Sequence, residues 1–202
     1  MSRFFDSDAP LMRLLASMFD WAALSLTAVL CALPVVTAGT ALSALYAAAA
    51  RPEDAGPKVF LRLFRRTFRT TSLLWLSALA AAGLLAADVR IVAEMPPAVR
   101  IPLWGGLFFL GLCLLLAGTA VFPLASSAPE ASFAALWRWA FFLAVARLPR
   151  TLAMLAAAAA PGAVYALSPT VFYALGLLWI FAWPALTARL WVRLGGDYLN
   201  MP

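Results

Sequence analysis

Histidine is absent from this sequence, and cysteine, lysine and acidic residues are scarce. Without histidine, the chain lacks the commonest general base and the commonest transition-metal ligand. Its two cysteines, Cys31 and Cys113, lie in apolar stretches without charged neighbours, where packing is favoured over a disulfide or an activated thiolate. We therefore expect neither a metal site nor any other cofactor.

Motifs of the common enzyme classes are also missing. The sequence has no G-x-x-x-x-G-K-[ST] phosphate loop and no G-x-S-x-G nucleophile elbow, and a Ser-His-Asp triad needs histidine. The adjacent carboxylates Glu53 and Asp54 lie in a proline-rich stretch beside Arg51, a pattern typical of a solvated turn. The sequence thus predicts a protein that is not an enzyme.

Apolar residues are what the chain has in excess. Of its 202 residues, 65% are hydrophobic and 12% are charged, and the mean hydropathy is +0.92, values that indicate a membrane protein. Fourteen arginines and one lysine against nine acids give a net charge of +6. In a membrane protein such an excess marks cytoplasmic loops, and apolar spans leave little room for a nucleic-acid-binding face. We expect the lipid bilayer as a partner and no nucleic acid.

The hydrophobic pattern predicts an all-α, polytopic integral membrane protein with a single membrane domain over residues 1–202. Five apolar stretches predict transmembrane helices. They cover residues of about 14–36, 72–87, 103–124, 152–167 and 170–190. Two further helices, at about 59–71 and 128–148, are predicted to lie at the membrane interface.

The first interfacial helix is basic and amphipathic. At about 100° per residue, Phe60, Phe64 and Phe68 share one face. Four arginines gather on the opposite face, namely Arg62, Arg65, Arg66 and Arg69. Because basic residues mark the inner side of a membrane, we expect the 51–71 loop to be cytoplasmic. The four arginines are candidate contacts for lipid or for a partner protein.

Pro34 and Gly39 interrupt the first apolar region, in the segment LPVVTAG. Proline ends or kinks a helix, and glycine permits backbone geometries that other residues resist. Both residues therefore predict a structural break.

The residues beyond this break allow two topologies. Residues 40–50 form either a short helix packed against the bundle, which gives five spans, or the returning arm of a hairpin over 14–50, which gives six. The charges of Arg3 and Arg13 favour the hairpin, because one span would place them outside. The short length of the arm favours five spans, which is the topology we prefer.

Asp20 and Ser25 are candidate polar residues inside the first span. A carboxylate at this position faces protein, water or the headgroup level, because lipid tails do not solvate it. It is either a substrate or proton site, or an acid near the membrane surface that pairs with a basic neighbour. The second interpretation is favoured, since a lone carboxylate without an intramembrane partner makes a poor proton relay.

The second interfacial helix is aromatic and less basic. Residues 127–130 read S-A-P-E, a capping-box pattern that predicts a helix start at about Ala128. Arg138 lies among the tryptophans and phenylalanines of this helix and is a further candidate for lipid or partner binding. Arg189 and Arg193 lie at and just beyond the end of the last span, so we expect the C-terminus in the cytoplasm.

A family resemblance rests on particular residues. LPVVTAG and ALY (44–46) precede the phenylalanine-arginine helix, and the next span opens with Trp75. With VFPL (121–124) and RLP (147–149) in the second half, this pattern resembles the YesL-type membrane proteins over nearly the whole chain. The resemblance implies a multi-pass protein of the bacterial inner membrane, from a family with no established activity that is usually discussed with carbohydrate uptake systems.

Three functions are compatible with these features. The first is a non-enzymatic accessory component of sugar or oligosaccharide uptake, with an ABC-type sugar importer as partner. The second is a small permease that acts as a homo-oligomer, because five helices with few polar groups form a poor channel. The alternative is a structural or assembly factor that binds lipid or proteins through its basic amphipathic helices.

Overall fold

A computed structural model describes residues 10–51 and 56–195, and it describes side chains within 18–51 and 56–194. The side chains of Arg3, Arg13, Glu53 and Asp54, which enter the sequence argument, lie outside those described. Within the described ranges the protein is all-helical and contains no strand, which confirms the predicted fold class.

Nine α-helices follow one another along the described chain. They are α1 Pro10–Ala32, α2 Ala38–Ala49, α3 Pro57–Ala93, α4 Pro97–Ser127, α5 Phe133–Ala146, α6 Leu148–Leu167, α7 Pro169–Ala174, α8 Gly176–Phe181 and α9 Trp183–Gly195. A short 3-10 turn, Val35–Thr37, connects α1 to α2. Three of these helices, α3, α4 and α6, are long and apolar enough to cross a membrane. They contain the predicted spans 72–87, 103–124 and 152–167.

The predicted basic helix 59–71 and the span after it are one helix in the structure. The 37 residues of α3 give a length of about 55 Å at 1.5 Å per residue, well beyond the ~30 Å of a hydrocarbon core. The only proline in α3 is its first residue, Pro57. Where the basic half meets the apolar half, Thr71 Oγ1 donates a hydrogen bond to the carbonyl of Thr67 at 2.7 Å, within the same helix. Nothing in the sequence therefore interrupts the helix where its basic half meets its apolar half.

The first span ends before Pro34, and the chain then turns back. Arg189 places its guanidinium 3.7 Å from the centre of the Trp21 ring, and Trp191, two residues along α9, packs on Tyr46 of α2 at 5.1 Å. Trp21, eleven residues before the end of α1, is thus level with Tyr46, eight residues after the start of α2, so the two helices are antiparallel. The 12 residues of α2 measure about 18 Å, too short to span. Helix α2 therefore runs in the direction that the hairpin topology predicts, but it has the short length that the five-span topology predicts.

Helix α2 lies at the centre of the packing. Eight of its twelve residues are buried, and all but Leu45 are glycine, alanine, serine or threonine. It is antiparallel to α3, because Thr40 contacts Thr71 and Ser72 whereas Ala50 shares a cleft with Arg66. Helices α4 and α9 also pack against it. Small residues allow this close approach of several helices to one.

The start of the second interfacial helix differs from the prediction. Helix α4 continues to Ser127, whose hydroxyl donates to the carbonyl of Leu124 at 3.0 Å, so Ser127 ends one helix and does not begin the next. Helix α5 begins at Phe133, where Ser132 is the N-cap and accepts a hydrogen bond from the backbone N–H of Ala135. The S-A-P-E pattern lies in the connection between the two helices.

The last predicted span, 170–190, is divided into α7, α8 and α9, none of which reaches spanning length. Its two interruptions are kinks: the N–H of Leu175 still bonds to the carbonyl of Val171, and the N–H of Ala182 to that of Leu178. The second kink lies two residues before Pro184, which lacks the N–H that a continuous helix would use.

The second half of α3 and the first part of α4 project from this packing. We call residues 76–115 the far hairpin. Val92 is its one buried residue, whereas large side chains such as Leu84 and Phe108 are 69% and 73% exposed. Outside the charged residues between 88 and 100, the far hairpin is therefore an apolar surface on nearly all sides.

Candidate functional site

The basic half of α3 presents its arginines away from the protein. Arg62, Arg65, Arg66 and Arg69 are all exposed and fall within an arc of about 100° around the helix. The opposite face is buried against α2 and its neighbours through Phe60, Leu63, Thr67 and Thr71. Because these buried residues recur every three or four positions, the packing of α3 directs the arginines outward.

The phenylalanine face changes along the helix. Phe60 is fully buried, Phe64 is half-buried and Phe68 is 41% exposed. Their rings pack in sequence, with centres 6.0 Å apart for the first pair and 5.7 Å for the second. The row of rings thus runs from the protein core to the surface, and its exposed end lies beside Arg69 in sequence.

Neighbouring arginines on α3 face two different depressions. Arg62 and Arg65 line an open depression of about 420 Å³ together with Lys58 and Leu61. Arg66 lines a cleft of about 370 Å³ between the ends of α2 and α4 and the side of α3. Arg51, just after α2, lines the same cleft. The basic face is therefore not uniform, because the adjacent residues Arg65 and Arg66 line different depressions.

Arg138 does not join this basic face. It is exposed on α5, and its neighbour Trp137 donates an indole hydrogen bond to the hydroxyl of Ser77 at 3.2 Å. Ser77 lies eight residues beyond Arg69 on α3, a rise of about 12 Å. The structure therefore separates Arg138 from the α3 arginines along the axis of that helix.

Asp20 and Ser25 lie on different sides of α1. Asp20 is exposed, whereas Ser25 is completely buried, and its hydroxyl has no hydrogen-bond partner among the described residues. Five residues of helix rotate one position from the other by about 140°. The two candidate polar residues therefore do not form one intramembrane site.

Pro34 and Gly39 have separate roles. Helix α1 ends at Ala32, and Pro34 has extended backbone angles at the start of the turn, as the break requires. Gly39 was expected to supply an unusual backbone geometry, but it lies inside α2 and has no positive φ. What it supplies is space: a Cβ there would lie 2.5 Å from Cβ of Trp75 and 2.8 Å from the Phe122 ring. Gly39 is thus a packing residue and not part of the break.

A buried group of hydroxyls connects α2 to its neighbours and was not predicted. The hydroxyl oxygen of Thr40 lies 3.0 Å from that of Ser72 and 2.9 Å from that of Thr71. One turn further along α2, Ser43 donates to the carbonyl of Phe122 in α4 at 3.1 Å. The available signal was the i, i+3 spacing of Thr40 and Ser43 in a helix otherwise made almost entirely of alanine, glycine and leucine.

The described side chains include no cluster of three potential metal ligands of the histidine, cysteine and carboxylate types. What the site offers is positive charge, in the form of guanidinium groups that donate hydrogen bonds in a planar fork suited to phosphate. Comparisons with protein-family models, with curated proteins and with solved structures find no match to this chain.

Proposed function

We propose that this chain is a non-enzymatic integral membrane protein that binds anionic lipid headgroups through the exposed arginines of α3. The observation that carries the proposal is the continuity of α3, which joins a basic half to an apolar half without a break. A rigid helix fixes the depth of its arginines relative to its apolar residues. Arginines next to a membrane span attract anionic lipids, by about 1 kcal/mol each.

The lengths of the two halves support this placement. From Thr71 to Ala87 the helix carries no charge, which corresponds to about 26 Å of rise and nearly matches the ~30 Å hydrocarbon core. Arg69 then lies at the headgroup level, with Arg62, Arg65 and Arg66 within about two turns of it. The exposed large side chains of the far hairpin face lipid in this arrangement.

The proposed topology follows from this position of α3. Its basic end is cytoplasmic under the positive-inside rule, in the inner membrane of a bacterium. Helices α3, α4 and α6 cross, and the kinked segment α7–α9 makes a fourth crossing. Helix α1 enters from the cytoplasmic side and α2 returns to that side, because the turn between them reaches only the level of Trp75, whose indole donates to the carbonyl of Val35. The last helix then ends on the cytoplasmic side with Arg193.

A second candidate function is accessory to carbohydrate uptake, in contact with an ABC-type importer. It is supported by where three parts of the family resemblance meet. Gly39 from LPVVTAG, Trp75 and Phe122 come together, and the Trp75 and Phe122 ring centres are 5.8 Å apart. Recovery of importer subunits with this chain from native membranes in mild detergent would support the role, and recovery of the chain alone would count against it.

The lipid proposal is tested with the full chain in nanodiscs. We expect the triple variant R62Q/R65Q/R69Q to lose about 3 kcal/mol of affinity for phosphatidylglycerol, roughly a hundredfold, because each arginine contributes about 1 kcal/mol. The control is R90Q/R100Q, which removes the exposed Arg90 and the half-buried Arg100 at the other end of the α3–α4 pair. Native mass spectrometry of bound lipid provides the measurement. Equal lipid retention by the triple variant and the wild type would contradict the proposal.

A further inference from the structure

We infer that the cleft shared by Arg51 and Arg66 is a binding site for a phosphate monoester, distinct from the open basic face formed by Arg62, Arg65 and Lys58. It rests on the proposed function in one respect, since that proposal places the cleft at the membrane surface. The ligand chemistry is a terminal phosphate group, carried either by a lipid headgroup or by a small soluble molecule.

Three helices contribute to the cleft. Ala47 comes from the end of α2, Ala50 and Arg51 are the two residues after it, and Arg66 and Thr67 come from α3. Ser126 and Ser127 complete the polar lining from the end of α4. The volume of about 370 Å³ lies near the lower end of the roughly 300–1,000 Å³ typical of small-molecule sites, so the cleft suits a small charged group.

The charge of the described lining is positive. Arg51 and Arg66 contribute two full charges, and none of the described lining residues is acidic. The C-terminal ends of α2 and α4 oppose them with about half a negative charge each. A positive charge of about one therefore remains after the helix ends are balanced, which means that the arginines do more than compensate those ends.

The hydroxyls leave hydrogen-bond donation to the arginines. Thr67 donates to the carbonyl of Leu63 at 3.0 Å, Ser126 to that of Pro123 at 2.7 Å and Ser127 to that of Leu124 at 3.0 Å. Each hydroxyl has one proton, which is already donated within its own helix, so a bound phosphate receives its hydrogen bonds from the arginines. Each guanidinium has five N–H donors, and no described residue accepts a hydrogen bond from the guanidinium group of Arg51 or of Arg66.

Two guanidiniums, one from α3 and one from the segment after α2, favour a monoester over a diester. A phosphate monoester carries about two negative charges at neutral pH and has three terminal oxygens, enough to accept a bidentate pair from one arginine and further bonds from another. A diester has one charge and two such oxygens. The cleft therefore discriminates between phosphate types, whereas the open face responds mainly to charge density.

The test uses Arg65 and Arg66, which are adjacent in sequence but line different depressions. Full-length wild type, R66Q, R51Q and the control R65Q are placed in nanodiscs that contain phosphatidic acid, a monoester, or phosphatidylglycerol, a diester, at equal mole fractions. A third set of nanodiscs contains only phosphatidylcholine and is titrated with inorganic phosphate, with chloride at the same ionic strength as the control. Bound lipid is measured by native mass spectrometry, bound phosphate by calorimetry, and helix content by circular dichroism.

We expect wild type to prefer phosphatidic acid over phosphatidylglycerol, and R66Q and R51Q to lose at least tenfold of that preference. R65Q should lower the affinity for both lipids equally and keep their ratio. If lipid preference is absent but inorganic phosphate binds and R66Q abolishes that binding, the site takes a soluble phosphate. A preference that R66Q and R51Q leave unchanged, or the absence of both kinds of binding, overturns the inference. The preference for phosphatidic acid over phosphatidylglycerol tests the cleft, whereas the total lipid binding lost in R62Q/R65Q/R69Q tests the basic face. Failure of one proposal is therefore distinguishable from failure of the other.

Discussion

Helix α2 and the far hairpin are both apolar, but α2 is buried by other helices and the far hairpin is exposed. Eight of the twelve residues of α2 are buried by other helices, whereas Val92 alone is buried among the forty residues of the far hairpin. The first is built from glycine, alanine and hydroxyl residues, and the second exposes leucine and phenylalanine. In a membrane, lipid is as apolar as leucine, so helices associate through close packing and hydrogen bonds. Residue size, and not hydropathy, therefore separates the two regions.

The largest effect is expected at Phe60, which is fully buried beside α2. Phe60→Ala should lower the free energy of unfolding by about 3–5 kcal/mol, because it removes a large side chain and leaves a cavity. The matched substitution Phe108→Ala lies in the far hairpin, where the ring is 73% exposed, and should cost less than about 1 kcal/mol. Reversible unfolding in mixed detergent micelles measures both. Equal losses would remove the distinction between the regions.

The effect of a glycine-to-alanine substitution on stability should have opposite signs in the two regions. Gly39→Ala adds a Cβ that meets Trp75 at 2.5 Å and should destabilise by about 1–3 kcal/mol through overpacking. Gly106→Ala adds a Cβ with nothing within 4 Å, so the better helix propensity of alanine should stabilise by up to about 1 kcal/mol. Thermal unfolding of the two variants in the same detergent gives the comparison. Stabilisation by Gly39→Ala would mean that α2 and α3 are further apart than described.

Removal of one hydroxyl should have a smaller effect. Thr40→Val breaks two contacts between α2 and α3, with Thr71 and Ser72, and should cost about 0.5–1.5 kcal/mol. Thr119 of α4 bonds only within its own helix, to the carbonyl of Leu116, so Thr119→Val is the control and should be near neutral. Amide hydrogen exchange of α2 should accelerate in the first variant only. Equal exchange in both would show that the hydroxyl group does not hold α2 in place.

The smallest effect is expected at Leu84, which is 69% exposed in the far hairpin. Leu84→Ala should change the free energy of unfolding by less than about 0.5 kcal/mol, because the side chain has few protein neighbours to lose. A loss comparable to that of Phe60→Ala would indicate that another protein surface, such as a second copy of the chain, covers the far hairpin. Size-exclusion chromatography with light scattering would then identify that assembly.

Several features could be predicted because they depend on local chemistry. The all-helical class follows from apolar runs without strand alternation, and the end of α1 follows from the missing N–H of Pro34. The outward direction of Arg62, Arg65, Arg66 and Arg69 follows from helical periodicity alone. In each case the cause lies within a few residues of the effect.

Other features depend on residues that are distant in sequence. The role of Gly39 comes from Trp75 and Phe122, whose approach no local pattern encodes. The separation of Arg65 from Arg66 requires knowing that α2 and α4 end beside one face of α3. The S-A-P-E pattern misled because Ser127 already belonged to the end of α4, where its hydroxyl has a partner. Tertiary packing decided each of these points.

The central claim is that α3 is one helix with its basic half at the membrane surface and its apolar half in lipid. Spin labels at Arg65→Cys and Leu84→Cys test it directly, in a chain with Cys31 and Cys113 replaced by alanine. Both positions are exposed and lie on the same helix, about 28 Å apart along its axis. In proteoliposomes, the label at 84 should relax with oxygen and be protected from a water-soluble nickel reagent, and the label at 65 should show the reverse. Equal access of the nickel reagent to both labels would contradict the account.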